Sequence, residues 1–331
     1  MLRLDHCLRF RSPPAITCAP VPAPAAFSAL SPITCPRRRF CGVLRPPRAR
    51  PALLTALASA GMEATVARAP EMAQREVARA LAAEAEERLG PRLLPSAVPA
   101  DVAEFRNGAG NAVGSLGVRR GAPDSSIDFM MQSSLHCKVP NGAIDITSIL
   151  IFLNASTDAP HFLMEFIQGS PTSIVVLLDL LPRKDLALHP DYLKKFYENT
   201  QLDKQRGKIY ELPQTRPYLS PSLFVRSSFS PAAILVSIDC GQGGEDALEE
   251  IVRGQLAMVA KEVLHIWLEI CADSTTEMEE TERMCLVKRD KTVRSKSIEV
   301  DLTANLPRMF DPDVSSRVIA EIRKAFGVEE S

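Results

Sequence analysis

Apolar residues run in short extended stretches through the middle of the chain and fall into helical spacing towards its end. Phe162–Gln168 and Ser173–Leu181 read as two strands joined by the turn residues Gly169, Ser170, Pro171 and Thr172. In the first strand Phe162, Met164 and Phe166 share one face, while Leu163, Glu165 and Ile167 share the other. Both faces are apolar, which suits a strand covered on both sides, and Glu165 is the misfit. Strands are also predicted over Val113–Arg119, Ile127–Gln132, Leu135–Val139, Ile144–Leu153, Leu223–Ser230 and Ala232–Cys240. Helices are predicted over Pro70–Leu89, Pro190–Gln205, Glu245–Ala272 and Val314–Phe326. The third carries an apolar stripe from Leu248 to Ile270 at spacings of three and four. Residues 277–297 are strongly charged, and Ile298–Leu302 reads as a weak strand or a cap. Strands in consecutive runs, with helices gathered towards the C-terminal half, predict an α+β fold: a mainly antiparallel sheet with helices on its faces.

Composition divides the chain in two. Residues 1–62 hold nine Arg, no Lys and one acid, so that with a whole-chain charge of −1 the remainder carries −9. Four of the eight Cys lie in that segment, as do ten of the 26 Pro, within residues 1–51. An Arg-, Ser-, Pro- and Ala-rich segment nearly free of acids has the composition of an organelle transit peptide; a retained disordered tail is the alternative. Residues 63–331 are then expected to form a single domain. No apolar run is long enough to span a membrane as a helix. Cys137, Cys240, Cys271 and Cys285 form no CxxC, which points to structural thiols in a reducing compartment.

Candidate chemistry is sparse. Gly241-Gln242-Gly243-Gly244 lies between a strand and a helix, where a phosphate could bind, but Asp246 replaces a needed glycine and Glu245 and Asp246 would repel the anion. The five His show no metal-ligand spacing. The run from Lys288 to Lys296 holds five cations and one acid; it reads as a solvated face or as a spot that steers an acidic partner. Nucleic acid is a poor fit for an acidic body with 5% aromatic residues. Glu165, flanked by Leu163 and Ile167, loses solvation, which favours a protonated carboxyl; a sheet-edge position or a buried Arg partner is the more ordinary explanation on sequence alone. Asp301 shares a polar face with Ser297 and Glu299 if 297–302 is extended, and nothing in the pattern selects it.

The segments HCKVPNG (136–142), PHFLMEFIQGS (160–170), LLPRKDLALHPDYLKKFY (180–197), RPYLSPSLFVRSSFSP (216–231), AKEVLHIWLE (260–269), KSIEVDLTANLPRMF (296–310) and SSRVIAEIRKAFGV (315–328) resemble the red chlorophyll catabolite reductases of plants. The likeness covers nearly all of the chain from about residue 70; the N-terminal segment and Gly108–Gly117 depart most. The resemblance implies a three-layer α/β/α sandwich, shared with ferredoxin-dependent bilin reductases. It implies reduction of a methine-bridge double bond of red chlorophyll catabolite, a linear tetrapyrrole, to the primary fluorescent catabolite. It implies electrons from reduced ferredoxin, with no flavin or metal bound, in the chloroplast stroma. It implies that Glu165 and Asp301 are pocket residues acting as proton donors or orienters, and that Phe229 sets product stereochemistry. Arg226, three residues before Phe229, is a candidate for binding a substrate carboxylate. The implied partners are the tetrapyrrole, ferredoxin, the upstream ring-opening pheophorbide a oxygenase and a second copy of the chain. The competing class is a non-catalytic tetrapyrrole carrier or scaffold in plastids, and a bilin reductase of other regiochemistry is a second alternative.

Overall fold

Eight strands make one antiparallel sheet in the computed structural model, which describes residues 72–139, 142–299 and 303–328. In chain order the strands are β1 (Glu104–Arg106), β2 (Ala112–Arg120), β3 (Ile127–Val139), β4 (Gly142–Leu153), β5 (His161–Ser170), β6 (Ser173–Leu181), β7 (Thr215–Pro217) and β8 (Ile234–Asp239). They lie in the order β1-β2-β3-β4-β5-β6-β8-β7, so consecutive hairpins build the sheet and β7 closes the far edge. β4, β5 and β6 lie inside the sheet with a strand on either side, and the apolar runs Ile149–Leu153 and Ile174–Leu178 suit strands covered on both faces.

Ten helices are described: α1 (Ala73–Leu89), α2 (Ala100–Ala103), α3 (Pro190–Leu193), α4 (Leu202–Tyr210), α5 (Leu223–Ser228), α6 (Glu245–Ile251), α7 (Ala257–Ile270), α8 (Glu280–Ser297), α9 (Thr303–Met309) and α10 (Pro312–Phe326). α1, α4, α6 and α7 pack on one face of the sheet, against Phe162, Met164 and Phe166 of β5 and the matching residues of its neighbours. Trp267 of α7 is fully buried there and donates its indole N–H to the Pro160 carbonyl at 2.9 Å. α2, α8, α9 and α10 pack on the other face, against Phe129, Met131, Phe152 and Leu181. The result is three layers, helix–sheet–helix, as the alternation along β5 predicts.

Several boundaries differ from the sequence reading. Ile127–Gln132 and Leu135–Val139 are one long strand, since Ser133 and Ser134 pair in register with Ser148 and Thr147 of β4. The helix read over Pro190–Gln205 is broken: α3 runs into a π-turn at Lys194–Glu198, and α4 begins at Leu202. The strand read over Leu223–Ser230 is a helix, α5. The Ser222 side chain caps it by accepting from the Val225 N–H at 3.3 Å, and Ser228 Oγ bonds the Phe224 carbonyl one turn back. The three apolar residues Leu223–Val225 are too few to be assigned by periodicity, and here the cap decides. The charged stretch from 280 is α8, whose buried side is only Leu286, Asp290 and Val293. Gly241 and Gly243 adopt φ of +70° and +76°, so the glycine loop is a turn that an L-residue strains.

One buried charge cluster fixes α8 to the sheet. The Arg183 guanidinium donates to both Asp290 oxygens, at 3.2 and 2.6 Å, and to the carbonyls of Asn154 and Thr157. His161 Nδ1 accepts the Leu153 N–H at 3.0 Å, which puts the ring proton on Nε2, 3.1 Å from Asp290 Oδ1. Burial pushes His161 down to about 4, so the ring is neutral at pH 7. Burial opposes ionisation of Asp290, but His161 and Arg183 outweigh it and hold the carboxyl below its ordinary range.

Candidate functional site

The two faces of the central strands are covered unequally. On the α1/α7 side, Phe162, Met164, Phe166, Val176 and Leu178 are fully buried. On the α8–α10 side, Leu163, Glu165, Ile167, Val175 and Leu235 are only half-buried, although they sit mid-sheet. The second helical layer therefore leaves part of an apolar floor accessible. A mostly apolar concave floor with a few convergent polar groups is the usual form of a small-molecule site.

Glu165 stands in the middle of that floor. The register sets Ser133, Ser148, Glu165, Leu177 and Leu235 in one row across five strands. Ser148 Oγ donates to Glu165 Oε1 at 3.3 Å. The sheet-edge explanation of Glu165 is excluded, because β5 has β4 on one side and β6 on the other.

A second carboxylate shares this face and was not singled out from the sequence. Asp179 of β6 pairs with Leu163, so it lies diagonal to Glu165, at a Cα separation of about 7–8 Å in an antiparallel pair. It is 3% exposed. Ser230 donates its backbone N–H to one Asp179 oxygen at 2.7 Å and its hydroxyl to the other at 2.5 Å. Burial pushes the carboxyl up to about 7, against the lowering effect of hydrogen bonds from Ser230 and Leu180. The signal was present in the sequence: Asp179 interrupts SIVVLLDLL as Glu165 interrupts FLMEFIQ.

The other predicted residues are placed as follows. Phe229, next to Ser230, is half-buried against the second apolar cluster, so the structure brings it to the margin of the same face. Arg226, in the last turn of α5, is exposed. Asp301 lies outside the described residues. The basic run is less open than its composition suggests. Arg294 bridges to Asp128 at 2.7 Å and stacks over Phe129 and Phe152, Arg289 donates to the Pro182 carbonyl, and Lys296 pairs with Glu299. Lys288 and Lys291 are the exposed members.

Two other polar groupings are less suited to chemistry. Asp145 accepts from Arg75 Nε and Nη2 at 2.9 and 2.7 Å and from Gln74, and contacts His136 at 3.1 Å, all on the closed face; these contacts tie α1 to the sheet. A groove of about 320 Å³ beside α1 is lined by Val77, Ala80, Leu81 and Ala257. Its charged rims pair with each other, Glu76 with Arg253 and Glu84 with Lys261. Among the described residues no group of His, Cys, Asp and Glu could hold a metal ion, and no helix is long and apolar enough to cross a membrane.

Comparison with known proteins gives the following. The family model described as red chlorophyll catabolite reductase matches residues 73–324. Red chlorophyll catabolite reductase 1, chloroplastic, of Oryza sativa subsp. japonica is 68% identical over 335 residues, covering 98% of this chain and all of that protein. The red chlorophyll catabolite reductase of Hordeum vulgare is 76% identical over 204 residues, 62% of this chain and all of the relative. That of Arabidopsis thaliana, also named chloroplastic, is 51% identical over 247 residues, 73% of this chain and 77% of the relative. Among solved structures, phytochromobilin synthase from tomato in complex with biliverdin aligns with a TM-score of 0.59 at 17% identity, covering 76% of this chain and 82% of that one. At that identity the likeness is one of fold.

Proposed function

This chain belongs to the red chlorophyll catabolite reductase family, and from that membership we propose that it is a chloroplast oxidoreductase of chlorophyll breakdown that reduces red chlorophyll catabolite to the primary fluorescent catabolite. The observation that carries the proposal is the position of Glu165, a carboxylate mid-row in an accessible apolar floor. Such a floor suits a flat conjugated tetrapyrrole, whose ring faces bury well against Leu163, Ile167, Val175 and Leu235.

The reaction adds two electrons and two protons across one carbon–carbon double bond, and nothing leaves. Electrons arrive singly from reduced ferredoxin, without a bound flavin or metal. The protein supplies position, protons and a chosen face. Glu165, bonded to Ser148, delivers or relays a proton to the bridge region. Asp301 is the second donor or the orienting group. Phe229, at the margin, blocks one approach by shape. Arg226 is exposed and free to meet a propionate or other carboxylate at the mouth. Lys288 and Lys291 on α8 are the cations left to attract an acidic ferredoxin.

The test is turnover by Glu165→Gln and Asp301→Asn under anaerobic conditions with reduced ferredoxin. Removing a general acid is expected to cut kcat by roughly 10²–10⁴. Near-normal turnover in both variants would refute the proton-donor assignment.

A further inference from the structure

We infer that Asp179, acting through Ser230, is a positioning residue that fixes Phe229 beside the Glu165 floor and so governs which face of the bound tetrapyrrole is protonated. The inference rests on the function proposed above and on the reading of Phe229 within it.

The segment 219–231 lies over this side of the molecule with little to hold it. Leu219 and Leu223 are 71% and 73% exposed, and Arg226 and Ser227 face solvent. Only Ser228 and Ser230 of it are buried, and Phe224 and Phe229 are half-buried against the second apolar cluster. Its remaining hydrogen bonds are local: Ser222 caps α5, Ser227 and Ser228 bond the Phe224 carbonyl, and Ser230 accepts from the Ala232 N–H on its hydroxyl and from the Ala233 N–H on its carbonyl. Among the described residues, the hydrogen bonds that cross from 219–231 to the sheet are the two that Ser230 donates to Asp179. They secure the residue immediately after Phe229. Two bonds to the two oxygens of one carboxylate fix orientation as well as distance.

The chemistry of the pair argues against a purely stabilising part. Asp179 is buried with no ion-pair partner among the described residues. A carboxylate in that state costs solvation that a leucine would not, and a leucine would complete the apolar run of β6. What the carboxylate supplies that leucine cannot is a rigid, two-point hold on the backbone and side chain of Ser230. The anchoring residue also sits diagonal to Glu165 on the site face. The ring of Phe229 is therefore referenced to the strand next to the one that carries Glu165.

The experiment measures the epimer ratio of the fluorescent product made from red chlorophyll catabolite and reduced ferredoxin, using the full chain. Phe229→Val, Ser230→Ala, Ser230→Thr and Asp179→Leu are compared, with melting temperature and KM recorded for each. Ser230→Ala is expected to move the ratio in the direction of Phe229→Val by roughly two- to tenfold, the equivalent of one hydrogen bond. Asp179→Leu moves it at least as far, and Ser230→Thr, which keeps the hydroxyl, restores it. A ratio changed by Phe229→Val but untouched by Ser230→Ala and Asp179→Leu would overturn the inference while leaving the parent reading intact. If Asp179→Leu does not fold, the Ala/Thr contrast at Ser230 decides alone. No product from the unaltered chain, or no effect of Phe229→Val, would refute the parent reading and this inference with it.

Discussion

Replacing Asp290 by alanine is the most severe test of how the site is built, because it removes the charge that holds α8 against the sheet. Arg183 is 2% exposed and directs its Nε and Nη2 at Asp290, at 3.2 and 2.6 Å. The same carboxylate accepts the Nε2 proton of His161, whose ring stacks on Phe152 at 4.2 Å between centroids. Asp290→Ala leaves a buried guanidinium without its counter-charge and an imidazole N–H without an acceptor. Removing one partner of a buried pair costs about 3–5 kcal/mol, against at most about 1 for an exposed pair. For a body of this size, that loss lowers the melting temperature by roughly 6–20 °C. Urea unfolding followed by far-UV circular dichroism gives the free energy, with an unchanged slope marking an unchanged native compactness. Removing both charges avoids a lone buried cation, so the pair Arg183→Met with Asp290→Leu should recover part of the loss, the rest remaining because the His161 N–H and the Asn154 and Thr157 carbonyls keep no partner. A cost below about 1 kcal/mol for Asp290→Ala, or a double variant no better than the single one, would refute the reasoning.

The same cluster sets the acid limb of stability. His161 has a folded-state value of about 4 against roughly 6.5 unfolded, so on acidification the unfolded chain takes up the proton first. Its contribution is complete above about pH 6.5 and is lost as the pH falls towards 4, up to roughly 3 kcal/mol. Asp290, held low, loses stability in the same direction below its ordinary range. Melting curves from pH 7 to 4 should show the decline, and His161→Gln should flatten it; an unchanged slope in that variant counts against the assignment. Separately, Lys288→Glu with Lys291→Glu is expected to slow ferredoxin-supported turnover at low salt, with the difference fading as ionic strength rises. Equal rates at all salt concentrations would place the docking face elsewhere.

Much of the fold could be read from the sequence where the pattern was long and unmixed. β6 is observed over the residues expected, Ser173–Leu181, because its run is continuous and bounded by turn chemistry. The long helical stripe ending at Ile270 is likewise found, as α6 and α7 joined by a π-turn at Val252–Leu256. The edge strands β1 and β7 escaped notice because each has three residues and no period to detect. At α5 the run Leu223–Val225 is apolar and partly β-branched, which favours a strand by pattern, while the Ser222 cap that settles the helix lies just outside it. The site divides in the same way. Glu165 was visible as a charge in an apolar strand, and its mid-sheet row follows from strand pairing. Asp179 gave the same signal and was passed over. Its link to Ser230, and the convergence of His161, Arg183 and Asp290, join residues 51 to 129 positions apart, which local periodicity does not encode.

The central claim is that this chain is a ferredoxin-dependent reductase of an open tetrapyrrole. The most direct measurement takes the chain from about Glu63, free of oxygen, with red chlorophyll catabolite, and follows blue fluorescence with and without reduced ferredoxin. The account predicts fluorescent product that requires ferredoxin and no added flavin or metal. Tight binding of the catabolite with no product in the presence of reduced ferredoxin would contradict it and leave a tetrapyrrole carrier built on the same fold.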